Sequence, residues 1–138
     1  MQRSSILEVG HAPELLRTRS LVLRAAGYTV TEETDIQRAF TLAQSDQIDL
    51  VLLCHSLNRN EAFWLARMLR ESRSLLPILC VVNNYSDEVP PGCWSTLAAP
   101  EELLGTLQEL FQQPPTQRTF PGPRMSSKPA AKKNTQAT

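Results

Sequence analysis

The first 111 residues of this chain contain no lysine. Lys128, Lys132 and Lys133 all lie near the C-terminus, with Arg118 and Arg124 and no acid among them. Residues 1–111 carry nine arginines against fourteen acids, a balance of −5, and residues 112–138 a balance of +5. The formal neutrality of the 138 residues therefore hides two oppositely charged parts. Any anion-handling site in the body must do without a lysine ammonium. Cysteine is scarce as well. Cys54, Cys80 and Cys93 are odd in number, and their spacing fits no zinc or disulfide framework. Cys54 and Cys80 sit in or at the end of apolar runs, where a free cysteine acts as a small hydrophobe, and a reducing, cytoplasmic setting is expected. No apolar run reaches membrane-spanning length, and no signal-peptide core follows Met1–Ser5. There is no glycine-rich phosphate loop, no Walker motif and no G-x-S-x-G. Nothing in the motifs points to an enzyme or to a cofactor.

What is present is an alternation of short apolar runs with amphipathic stretches. Ser5–Val9 reads as a strand. Pro13 suits the first turn of a helix over Glu14–Ala26, with Leu15, Thr18, Val22 and Ala26 on one face, widened by Leu16 and Leu23. Gly27 ends it. Tyr28–Thr31 is a second strand. Asp35 caps a helix whose Ile36, Ala39, Phe40 and Ala43 recur at helical spacing. Leu50–Leu53 is a buried strand that meets solvent at Cys54 and His55. Asn58 or Asn60 caps a third helix, and Ile78–Val82 is a fourth strand. Residues 83–92 hold Pro90-Pro91 and no helical periodicity. A weak fifth strand near Cys93–Leu97 precedes a last helix from Pro100, with Leu103, Leu104, Leu107, Leu110 and Phe111 inward. This order implies βαβ units, a parallel sheet and right-handed crossovers. From residue 112 on, Pro, Ser, Thr, Gln, Ala and Lys dominate, and a disordered basic tail is expected.

Several stretches resemble, in order and spacing, the receiver domain of bacterial response regulators. They are Ile6-Leu7-Glu8-Val9, Pro13-Glu14-Leu15-Leu16, Arg24-Ala25-Ala26-Gly27-Tyr28-Thr29-Val30, Asp49-Leu50-Val51-Leu52-Leu53, Leu69-Arg70 and Pro77-Ile78-Leu79. The resemblance covers residues 5–111. It implies an α/β, flavodoxin-like, doubly wound parallel sheet of five strands in the order 2-1-3-4-5. The helix that receivers place between the fourth and fifth strands is expected to be short or absent here. Receivers hold Mg²⁺ on two adjacent acids and on an aspartate that accepts the phosphoryl group; a Thr or Ser and a Lys contact that group. Hard oxygen ligands and a cation serve this chemistry. By alignment, Gly10 and His11 replace the acidic pair, Cys54 the acceptor, and Val82 the Thr or Ser. The lysine position falls near Ala98 or Ala99. No neighbouring carboxylate obviously substitutes: Glu8 lies within its strand, and Asp49 at the far end of another.

The resemblance thus implies a degenerate receiver, acting in two-component signalling by protein contact with a histidine kinase or a related protein. Two other readings stay open. Cys54 with His11 and His55 could form a thiol or metal sensor, since adjacent first and third strands bring His11 and Cys54 into one crevice. The basic tail could touch nucleic acid, although it lacks a folded reading element. The simpler reading of Cys54, and the favoured one, is a small filler where the aspartate of the resemblance is lost. Trp64 and Trp94 could be surface anchors or ordinary packing.

Overall fold

The computed structural model describes residues 4–112; the expected basic tail lies outside the described residues, apart from Gln112. Five strands, β1 (Ser5–Val9), β2 (Thr29–Glu33), β3 (Leu50–Leu53), β4 (Ile78–Val82) and β5 (Trp94–Leu97), alternate with four helices. These are α1 (Pro13–Ala25), α2 (Ile36–Ala43), α3 (Arg59–Ser72) and α4 (Pro100–Gln112). All neighbouring strands pair parallel, in the order β2-β1-β3-β4-β5, which is the flavodoxin-like arrangement expected.

The two faces of the sheet carry separate cores, because strand side chains alternate with a period of two. Leu7, Val9, Val51, Leu53, Ile78, Cys80 and Val82 point to α2 and α3. Ile6, Leu50, Leu52, Leu79 and Val81 point to α1 and α4. Burial on both faces explains why β3 and β4 read as continuous apolar runs rather than alternating ones.

Local signals set the ends of the elements. Pro13 opens α1, where its missing N–H costs nothing. Gly27, at φ 101°, turns the chain out of that helix. The Asp35 carboxylate takes the Gln37 and Arg38 amides at the start of α2. Of the two asparagines weighed for α3, Asn58 is the cap. It forms a reciprocal box with Glu61: the Glu61 amide donates to Asn58 Oδ1 and the Asn58 amide to Glu61 Oε1.

Two expectations are corrected. The second strand starts at Thr29 rather than Tyr28, and runs on to Glu33. The inward face of α1 is Leu16, Ser20 and Leu23, while Leu15 is 44% exposed and Thr18 and Ala26 are also exposed. Leu16 and Leu23 are inward as expected, but the apolar count centres the face too far round, because Ser20 and Arg19 also turn inward to meet a buried acid. Between β4 and β5 there is no helix among the described residues, as Pro90-Pro91 suggested. The Asp87 carboxylate takes the amides of Asn83 and Asn84, and Val89 and Pro90 pack inward.

Candidate functional site

β1 and β3 run side by side with Val9 opposite Leu53, and the Cys54 amide continues the ladder to the Val9 carbonyl at 2.9 Å. Alternation then puts Glu8 and Cys54 on the face covered by α1. Neither side chain reaches solvent: Glu8 is 0% and Cys54 4% exposed. Ser20 Oγ donates to Glu8 Oε1 at 2.8 Å. Arg19 Nη1 donates to Cys54 Sγ at 3.1 Å and stands 3.6 Å from Glu8 Oε2. The thiol lies 3.8 Å from that same carboxylate oxygen.

Burial dominates the protonation of this group. It pushes the Glu8 carboxyl up to about 7, although Ser20 and Arg19 pull it down. Burial also pushes the Cys54 thiol up to about 12, against the favourable charge of Arg19. Cys54 is therefore held as a thiol, which is neither nucleophile nor metal ligand. Arg19 supplies a fixed positive charge beside both groups.

Gly10 follows β1 and packs directly on this cluster. A Cβ there would stand 2.8 Å from Ser56 Oγ and 2.9 Å from Cys54 Cβ. No side chain, acidic or otherwise, fits without displacing the loop after β3. That loop is stitched to the one after β1: the His11 amide donates to Ser56 Oγ at 2.9 Å, and His11 Nε2 contacts Glu61 Oε1 at 2.7 Å.

His11 therefore leaves the crevice in which the sequence put it. Its ring turns to the N-terminus of α3, away from the α1 face where Cys54 is buried, because successive residues past β1 point to opposite sides of the sheet. His55 is exposed. The expected set of Cys54, His11 and His55 is not assembled, and among the described residues no group of three or more His, Cys, Asp or Glu could hold a metal ion. Val82 is buried on the α2–α3 face, and Ala98 and Ala99 are exposed just before α4. The tryptophans pack: Trp94 is 8% exposed in the α1–α4 core, and Trp64 sits edge-on to Phe40 at 6.2 Å.

Sequence reasoning named Glu8 but not its contact with Cys54, and missed Arg19 and Ser20. Glu8, expected only to lie within its strand, comes within 3.8 Å of the Cys54 sulfur. A signal was available, since an acid in the middle of a doubly covered parallel strand must be buried and must find partners.

No protein-family model matches the sequence, and no curated protein does. Solved structures do. The chemotaxis response regulator CheY4 of Vibrio cholerae is 23% identical with a TM-score of 0.66, the match covering 78% of this chain and 98% of that one. The receiver domain of a sensor histidine kinase from Pseudomonas aeruginosa, crystallised with magnesium in its active-site cleft, is 20% identical with a TM-score of 0.68 and is covered completely, against 81% of this chain. A response regulator solved in complex with a histidine kinase is represented at 17% identity and a TM-score of 0.65, covering 77% of this chain and 97% of that one. The fold is that of CheY-like receiver domains.

Proposed function

We propose that the chain is a degenerate receiver that signals through protein contact and accepts no phosphoryl group. The observation that carries this reading is the packing around residue 54. Where the resemblance expects an ionised aspartate facing Mg²⁺, there is a buried thiol held by Arg19 and Glu8. Where it expects an acid pair, Gly10 has no room for a side chain, and His11 is committed to Glu61. Val82 stands for the hydroxyl residue, and residues 1–111 offer no lysine. Each lost electrostatic contact costs on the order of 10²-fold in rate, and such losses are not restored singly.

A two-component partner, such as a histidine kinase, is the natural expectation for this fold, and one similar structure contains such a pair. A cytoplasmic place agrees with free cysteines, and no helix among the described residues is long and apolar enough to cross a membrane. Exposure to acetyl phosphate with Mg²⁺, followed by intact-mass measurement, tests the reading. No phosphoryl adduct is expected, either from the native chain or from Cys54→Asp, and Mg²⁺ should leave tryptophan fluorescence unchanged. An adduct mapped to the Cys54–His55 loop would overturn the proposal.

A further inference from the structure

Beside the Glu8 cluster, an open cleft of about 330 Å³ lies at the carboxyl ends of β3 and β4, with Cys54 among its lining residues. The start of α3 and the segment between β4 and β5 form its walls. Leu53, Leu57, Cys80 and Val82 supply a buried apolar lining, with Phe63 and Val89 beside them. This is the end of an α/β sheet where ligands gather, and the size falls within the range of small-molecule pockets.

The arginine at its mouth is already paired. Arg59 donates through Nε and Nη2 to Glu88 Oε1 at 3.1 and 2.9 Å, and its guanidinium lies over the Phe63 ring, 4.4 Å from the centroid. Asp87 accepts the Asn83 and Asn84 amides. Asn58 is engaged by Glu61. An ionic guest would lose its hydration against an apolar lining, and an anion would find Arg59 already held by Glu88. His55, exposed at the rim, offers an imidazole that can donate and accept.

We infer that this cleft binds an uncharged, mainly apolar ring compound, of the indole or phenol class, whose one hydrogen-bonding group faces His55. The absence of a helix between β4 and β5 exposes the cleft, and Val82 and Cys80 keep it apolar.

The test titrates the ¹⁵N-labelled full chain with indole, phenol and benzoate. Indole or phenol should shift the amides of residues 53–57 and 80–83 in a saturable way. Benzoate should bind at least about tenfold more weakly. Ala62→Phe, which fills the cleft, should abolish the shifts. Val82→Thr, which keeps the volume but adds a hydroxyl, and His55→Ala, at an exposed position, should each weaken binding severalfold with the folded spectrum retained. These two variants decide the matter even if Ala62→Phe fails to fold. The inference is overturned if neither indole nor phenol binds saturably, if the shifts map elsewhere, if benzoate binds as well as phenol, or if Val82→Thr and His55→Ala both bind as the native chain does.

Discussion

The guanidinium of Arg19, on α1, donates to the sulfur of Cys54, at the end of β3, across 3.1 Å. The same nitrogen stands 3.6 Å from Glu8 on β1. One side chain from a helix therefore ties together the two strands whose ends would carry the chemistry of a receiver. The positive charge is part of the chain and cannot be exchanged.

Arg19→Met should destabilise the protein in a pH-dependent way. Breaking a buried pair from one side costs about 3–5 kcal/mol when a charge is left behind. Glu8 escapes part of that cost by taking a proton at low pH. Urea unfolding should show a small loss at pH 6 and a much larger one at pH 8.5. Equal losses at both values would mean that Arg19 acts through packing alone.

Glu8 itself should tilt stability against pH. Its folded value is about 7, above the ordinary 4.5. Between those values the folded state holds a proton that the unfolded state has released. Stability from this group is therefore fully present below pH 4.5, falls as pH rises to 7, and is flat above. The fall amounts to about 3 kcal/mol at 1.36 kcal/mol per pH unit. Glu8→Gln removes it, so the native-minus-variant difference in unfolding free energy should drop across that window. A constant difference would show that Glu8 does not titrate there.

Gly10→Ala should cost about 1–3 kcal/mol, the usual cost of overpacking. Its Cβ would press on Ser56 Oγ and Cys54 Cβ. Ser56→Gly should recover only part of the loss, since the Cys54 contact remains. Thermal melts of the single and double variants give the coupling. Additive losses would refute the contact.

Cys54 should resist alkylation. With the thiol pushed up to about 12 by burial, only on the order of one molecule in ten thousand carries the thiolate at pH 8. Iodoacetamide followed by peptide mass mapping should label Cys54 far more slowly in the folded chain than in urea. Rapid stoichiometric labelling of native Cys54 would restore the sensor reading.

Much of the architecture is legible in the residues. Leu50–Leu53 and Ile78–Val82 are apolar throughout because both faces of a parallel strand are covered, and their limits match the structure. Asp35, Pro13 and Gly27 act through their own backbone chemistry, which needs no distant partner. The face of α1 is only partly legible, through Leu16 and Leu23, for the opposite reason. Arg19 and Ser20 turn inward only because Glu8, on another element, must be satisfied there.

The succession of strands and helices along the chain and the missing helix before β5 were therefore legible in the sequence by itself, because composition and local propensity act over a few residues. Tertiary structure decided which groups meet. It buried Glu8 against Cys54, gave Arg19 to both, sent His11 to Glu61 instead, and left an apolar cleft at the ends of β3 and β4. Those pairings join residues up to 50 positions apart, and the side of the sheet on which each side chain falls is fixed only once the strands are in register.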